Sequence, residues 1–332
     1  MDSNGGMMVI EKSLNTQKAY LERGSALWKR ASMANGVCEE YLLPTIYLKW
    51  LEELLPKLKP ASRRQYICAS KEFLLLNQLT NKSVGDDGND LGVAVAKVKA
   101  IQSSYYNSEI KLKSNKKLTS SQKSKHVGNE DIKLLINNNK NSKHKWVKQS
   151  LIWLSANLIV GLRPVEWQTS RIIVVDRVPY LEVNNAKNTN GRAHGLKRHI
   201  GLSNLEPNEM ELIKFQLKII RCNMKNGISW DNYYGGVRKA LHKITRETLS
   251  KRKKYLTLYS TRHQFAANAK SSGMTRVEIA ALMGHAVDTT AGFHYGKKKH
   301  GTGMCRVNSI ESEVKRIKIK SKTRVADGPK YL

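Results

Sequence analysis

The sequence predicts a mainly α-helical protein of two domains, the second interrupted by a small antiparallel sheet. Three observations carry this. Apolar residues recur at helical spacing through most of the 332 residues. Only three short runs, 171–175 (RIIVV), 180–183 (YLEV) and 199–203 (HIGLS), have the length and composition of strands. A stretch with six lysines, no acids and almost no apolar residues, 111–126, separates four helical segments from the rest of the chain.

The elements follow in order. In residues 13–36, Tyr20, Gly24, Leu27, Trp28 and Ala31 fall on one face, and Gly36 can stop the helix. A second helix over 44–56 has Pro44 in its first turn and Tyr47, Trp50, Leu51 and Leu54 at helical spacing. A third spans 59–77, with Ser62 suited to the N-cap before Arg63 and Arg64, and Ala69, Phe73 and Leu76 facing inward. After a polar, acidic loop (83–90) comes a fourth helix, on which Ala94, Val98, Ile101 and Tyr105 line up. These four make a small bundle. The lysine-rich stretch reads as a solvated linker, or as one that crosses a DNA backbone while joining two domains around the duplex. Beyond it, 130–136 and 146–160 are helices, and the second is apolar on nearly all sides, as a buried helix is. After the three strands, with a long turn over 188–195, the chain is helical from 208. Breaks fall at 225–229, 251–257, Gly273 and Gly284, and TRVE (275–278) is a capping box. In the tail, Val307, Ile310 and Val314 stand at helical spacing before a basic stretch, 314–322.

Composition narrows the function. The net charge is +31, of which only +6 falls in residues 1–120. Such an excess implies a polyanion, and nucleic acid rather than a membrane surface, because Lys and Arg release condensed counterions when they neutralise phosphates. Four cysteines without paired spacing suggest neither a disulfide framework nor a zinc site, and a reducing cytoplasm is the simpler setting. The start, MDSNGGMMVIEKS, has an acid where a secretory signal carries bases. The most apolar stretch, 151–162, is too short to span a bilayer. No internal repeat and no glycine-rich phosphate loop is visible.

The candidate chemistry lies in three pieces. In GLRPVEW (161–167), Gly161 can end the buried helix and Pro164 can begin the next. Arg163 then stands at a helix N-terminus, where free N–H groups favour a phosphate, and Glu166 can hold its guanidinium or cap the helix. In YSTRHQFAANA (259–269), Tyr259 and Arg262 share a helix face, and His263 is a packing or supporting residue. In LMGHAVDTTAGFHYGK (282–297), His285 follows Gly284, and Tyr295 is ten residues further on. Two guanidiniums, a histidine and a late tyrosine are what a protein needs to attack a DNA phosphodiester with its own phenol.

This ordered set resembles the tyrosine recombinase (phage integrase) family over residues 125–300, and more loosely over the helical N-terminal part with its PASRRQY segment. The resemblance implies a helical, SAM-like core-binding domain over 1–115, a basic linker over 116–128 and a catalytic domain over 129–300. The tail, 301–332, would dock on a neighbouring protomer, or else pack on its own domain. The family keeps a lysine in a β-hairpin between the two arginine boxes. Lys187 fits that place, Lys197 is the alternative, and Arg192 is placed to touch the backbone. Arg63, Arg64, Lys116 and Lys117 are the other candidate DNA contacts.

The implied chemistry needs neither metal nor ATP. Arg163 and Arg262 neutralise the scissile phosphate, Tyr295 attacks to form a 3′-phosphotyrosine, and Lys187 protonates the leaving 5′ oxygen, with His285 and Tyr259 bonding the phosphate. The chain departs from the family in two places. It has Tyr-x-x-Arg where His-x-x-Arg is usual, and a phenol of pKa about 10 is a poor proton shuttle at neutral pH. One extra residue also separates His285 from Tyr295. The implied setting is cytoplasmic and prokaryotic or phage-encoded, with no membrane. The implied partner is duplex DNA with inverted-repeat core sites, bound by a monomer in free solution that assembles as a tetramer on two sites, with accessory DNA-bending or directionality proteins. Two other functions share the fold and charge: a DNA-binding protein that has lost catalysis, and a type IB topoisomerase-like relaxer.

Overall fold

The computed structural model describes residues 14–80, 88–107, 123–186, 188 and 191–320. Lys116, Lys117, Lys187, the Tyr105 side chain, residues 83–87 of the acidic loop and the tail beyond 320 lie outside that description, while 88–90, expected in the loop, open a helix. Contacts divide the chain into two compact units, Met1–Ser114 and Asn115–Leu332. The protein is mainly helical with one small antiparallel sheet, as its periodicity predicts. Among the described residues no helix is long and apolar enough to cross a membrane.

The first unit holds α1 (Leu14–Ala34), α2 (Pro44–Leu54), α3 (Pro60–Thr80) and α4 (Gly88–Asn107). Leu27, Ala31, Tyr47, Leu51, Leu74, Ala94 and Val98 form its core, and the Trp28 ring lies between those of Tyr47 and Phe73. Helices α1 and α3 cross closely at Gly24, where any side chain would collide with Phe73 and the Ala69 carbonyl. Three expectations change here. Helix α3 opens at Pro60, with Arg63 N–H bonded to Lys59 O at 2.9 Å, so Ser62 is not its N-cap. Leu76 is exposed, because the buried face runs through Ile67, Ser70 and Leu74. Arg63 is buried rather than presented to DNA. Its Nε donates to Leu55 O at 2.9 Å and its Nη2 to the carbonyls of Pro56 and Leu58 at 3.3 Å. A helix end leaves carbonyls short of N–H partners, and Arg63 supplies donors to three of them, closing the turn between α2 and α3. Its neighbour Arg64 is exposed.

The second unit is built on α6 (Lys145–Val160). Trp153, Leu154, Ala156 and Val160 are fully buried, and the helix is packed by α7 (Pro207–Lys225), α8 (Trp230–Thr248) and α9 (Leu258–Ser271), with α5 (Asn129–Asn139) alongside. Trp153 sits in an aromatic cluster with Trp167, Trp230 and Tyr233. Strands β1 (Arg171–Val175), β2 (Val178–Asn184) and β3 (Lys197–Gly201) pair antiparallel in chain order. Asp176 and Arg177, both at positive φ, make the two-residue turn between β1 and β2. Register pairs Arg171 with Glu182 and Tyr180 with Gly201.

The tail does not form the single helix its apolar spacing predicts. Val307 is fully buried in the unit's core, Asn308–Ser309 adds a fourth strand, β4, beside β3, and only Glu311–Val314 is helical (α12). Ile317 is buried against Ala280 and Ala281 of α10 (Arg276–Leu282). Lys318 N–H donates to Ala286 O at 2.9 Å, and Asp288 N–H donates to Lys318 O at 3.2 Å. Val307 and Ile317 of the tail are therefore covered by their own unit, while Met304 and Ile319 are exposed.

Candidate active site

Gly161 ends α6 at φ +61, a left-handed position where a side chain would also run into the Phe265 ring. Asn157 locks this end. Its Nδ2 donates to Leu162 O at 3.1 Å and Thr261 Oγ1 at 2.7 Å, and its Oδ1 accepts from Trp167 Nε1 at 2.9 Å. The chain then turns so that Arg163 precedes a 3-10 turn, Pro164–Gln168, instead of a full helix. Glu166 does both jobs expected of it. Its Oε2 accepts from Arg163 N–H at 2.7 Å, and its Oε1 from Arg163 Nη1 at 2.6 Å.

Glu166 is also the centre of a larger cluster that sequence reading missed. Arg198 Nη2 donates to Glu166 Oε2 at 2.8 Å, and Arg262 Nη1 lies 3.8 Å from the same oxygen. Burial opposes the charge on Glu166, but Arg198, Arg262 and Arg163 overrule it and hold the carboxyl far below the usual range. Arg198 is fully buried and also donates to Leu282 O at 2.8 Å and to Asn185 Oδ1. A signal for it existed: strand alternation puts Arg198 on the same face as Ile200 and Leu202, and a charge on the buried face of a strand needs partners. The same alternation disposes of Lys197 as the hairpin lysine. It lies on the opposite face, where its Nζ pairs with Glu182 at 3.4 Å. Lys187 is outside the described residues. The residue before it, Ala186, is tied to the cluster through its N–H to Glu166 Oε1 at 3.2 Å and its O to Arg163 Nη1 at 3.4 Å.

Arg262, on the first turns of α9, is fully buried. It donates to Gly161 O and Met283 O, both at 2.6 Å, which leaves its Nε edge toward Tyr295 Oη at 3.4 Å. Its Nη2 stands 3.3 Å from His285 Nε2. A guanidinium can only donate, so this nitrogen of His285 accepts and the ring proton sits on Nδ1. Burial first, then the charges of Arg262, Arg163 and Arg198, press the His285 pKa down to about 2, so the ring is neutral. Gly284 before it has φ +64, and a side chain there would collide with Asn185 and Arg198. The Gly-His pair is thus a close backbone approach followed by a neutral imidazole.

Tyr295 follows the short helix α11 (Thr290–His294). Its hydroxyl is 3.0 Å from that of Tyr259, and its ring packs 5.2 Å from His285 and 5.1 Å from His263, centroid to centroid. Two phenols sharing one hydrogen bond cannot ionise together, and their surroundings separate them. Burial pushes Tyr259 up to about 12. Burial acts the same way on Tyr295, but the Arg262 charge and the Tyr259 hydrogen bond outweigh it, so Tyr295 is lowered. Of the two phenols Tyr295 is thus the one that gives up its proton more readily, with Tyr259 beside it to donate to the oxygen as it ionises. His263, expected as a packing or supporting residue, walls the same cleft, its pKa lowered to about 4 by burial and by Lys125, Arg262 and Lys270. Arg163, Arg192, Tyr259, His263, His285 and Tyr295 all line one open cleft of about 520 Å³, with the Arg192 side chain exposed at its rim.

No protein-family model matches the chain, and no curated protein sequence matches it significantly. Among solved structures it is similar to the XerH site-specific recombinase bound to difH substrate. The post-cleavage complex has 15% identity, covering 83% of this chain and 74% of that one at a TM-score of 0.44. The pre-cleavage complex has 15% identity, covering 84% and 75% at 0.47. It is also similar to the XerA recombinase, with 15% identity covering 85% and 86% at a TM-score of 0.31.

Proposed function

We propose that this protein is a site-specific DNA recombinase that cuts and rejoins strands through a 3′-phosphotyrosine on Tyr295. The observation that carries this reading is the phenol pair: the Tyr295 hydroxyl, lowered in pKa, lies beside Arg262 Nε and Tyr259 in a cleft also lined by Arg163 and Arg192. A phosphodiester seated in that cleft brings its nonbridging oxygens to Arg163 and Arg262, whose charge is worth most as the pentacoordinate phosphorus develops. Tyr295 attacks phosphorus, the 5′ oxygen leaves with a proton from Lys187, and the 5′ hydroxyl of a partner strand reverses the step. Neutral His285 adds no charge of its own, and its Nε2 faces the Arg262 guanidinium beside the phosphate. The bond energy stays in the phosphotyrosine ester, so the residues named here need no ATP.

Residues 1–115 are assigned to binding one face of a core site, 116–128 to the linker with Lys116 and Lys117 on backbone phosphates, and 129–300 to catalysis, with Arg64 and Arg192 as further phosphate contacts. The partner is duplex DNA with inverted-repeat sites, on which four copies assemble. The deciding experiment uses a pool of duplexes of randomised sequence, each nicked so that the cleaved fragment diffuses away. The wild-type chain should leave a covalent protein–DNA band in denaturing gels, and Tyr295→Phe should leave none while still retaining the duplexes on a filter. A band from Tyr295→Phe rules out Tyr295 as the nucleophile, and binding without any wild-type band leaves a DNA-binding protein without catalysis.

A further inference from the structure

Helix α9 has two halves with different tasks. Its first turns carry Tyr259, Arg262 and His263 into the cleft. Its later turns send polar side chains to the main chain that follows the nucleophile. Gln264 Nε2 donates to His300 O at 2.7 Å, Asn268 Oδ1 accepts from Thr302 N–H at 3.2 Å, and Ser271 Oγ accepts from Gly303 N–H at 2.7 Å. Lys270 makes the contact nearest the chemistry. Its ammonium donates to Ala291 O at 2.8 Å and to Gly296 O at 2.6 Å, one carbonyl on each side of Tyr295.

We infer that Lys270 is a positioning residue for Tyr295, a clasp that fixes the segment bearing the phenol by holding both of its ends to α9. The assignment rests on Tyr295 being the nucleophile. Three observations support it. Among the described residues no ion pair joins Lys270 to a carboxylate, and its hydrogen bonds go to these two carbonyls. Between the two anchored carbonyls the segment is open to solvent at Gly292 and His294, and Lys297 just beyond them is exposed. Gly296 lies so close to α9 that a side chain would strike the His263 carbonyl and Ala267, so the second carbonyl is pressed within reach of the ammonium. Lys270 is only half-buried, its pKa lowered by that burial, and its charge is felt at His263 beside the phenol. A flexible four-carbon stem with three donors can bridge two carbonyls, which a shorter amide side chain cannot do from this distance.

The test compares Lys270→Met, Lys270→Gln and Lys270→Arg with wild type and Tyr295→Phe on the same nicked, randomised duplex pool. Misplacing a reacting group by about 1 Å can cost roughly 100-fold. Lys270→Met and Lys270→Gln should therefore form the covalent band roughly 10–100-fold more slowly, with filter retention of the pool and the thermal midpoint unchanged, and Lys270→Arg should regain part of the rate. Amide exchange across residues 290–300 should quicken in Lys270→Met and not elsewhere. Wild-type rates in Lys270→Met and Lys270→Gln, with Tyr295→Phe inert, overturn the clasp and leave the nucleophile standing. A wild-type chain that forms no band overturns the chemistry instead. Exchange in 290–300 then still decides the clasp, since an unchanged rate in the variants means Lys270 holds nothing. Should Lys270→Met fail to fold, Lys270→Arg and Lys270→Gln carry the comparison.

Discussion

At the scale of single residues, the phenol pair makes a statement about pH. Tyr259 donates to Tyr295, and that bond favours the ionised form of Tyr295. Tyr259→Phe removes the donor, so the Tyr295 pKa should rise and the acid limb of the cleavage profile should move to higher pH. One lost hydrogen bond to a charged oxygen costs on the order of 1.5 kcal/mol, which is about tenfold in rate near neutrality, recovering as the pH is raised. An unmoved acid limb would make Tyr259 a ligand of the phosphate alone. Glu166 makes a second statement. Its folded-state pKa lies below the unfolded value, so its contribution is present above the ordinary carboxylate range and lost as pH falls through the folded value. Glu166→Gln should cost about 3–5 kcal/mol at pH 7 by urea denaturation, since it leaves three guanidiniums without their anion, and the gap to wild type should narrow in acid. Arg163, Tyr259, Arg262, His285 and Tyr295 were legible in the sequence because each stands by a helix boundary, and the structure brings four of them to one cleft, with Arg262 buried beside the Tyr295 hydroxyl. Arg198 and Lys270 were not, because their partners are main-chain carbonyls and a carboxylate distant in sequence. Arg63 misled for a related reason: an arginine that caps a turn and one that binds phosphate look alike until burial is known.

At the scale of elements, the segment between α10 and α11 depends on one backbone torsion. Gly284→Ala places a methyl group against Asn185 and Arg198 in a left-handed residue. The strain should cost about 1–3 kcal/mol and displace His285 from Arg262, so cleavage should fall further than stability. A thermal midpoint and a cleavage rate both equal to wild type would mean that the segment accommodates the methyl. The helices were readable from their period, and β1, β2 and β3 from their short apolar runs. Strand β4 could not be read, because two residues, Asn308 and Ser309, carry no alternation and pair only because β3 offers an open edge.

At the scale of the whole molecule, the tail belongs to the core of its unit. Truncation after Gly303 removes Val307, Ile317 and the Glu313 carboxylate, which accepts from His199 N–H at 2.8 Å. Two buried aliphatic side chains alone contribute about 3–6 kcal/mol, so the truncated chain should unfold at distinctly lower denaturant. Full stability after truncation would show the tail to be dispensable. Chain spacing suggested a helix there, and the charge run after it suggested solvent. Neither pattern could report that Val307 is buried in the core of the unit and that Asn308–Ser309 pairs with β3.

The carboxylate shared by Arg163, Arg198 and Arg262 has one further consequence, and it is thermodynamic linkage. One anion among three cations leaves a surplus of positive charge beside the cleft. A ligand that binds only the native state stabilises it by an amount set by its concentration over its Kd, about 2.7 kcal/mol at a hundredfold excess. Small tetrahedral oxyanions such as sulfate or phosphate should therefore raise the melting temperature of the wild-type chain. They should raise it less in Arg163→Ala, where the surplus has been reduced.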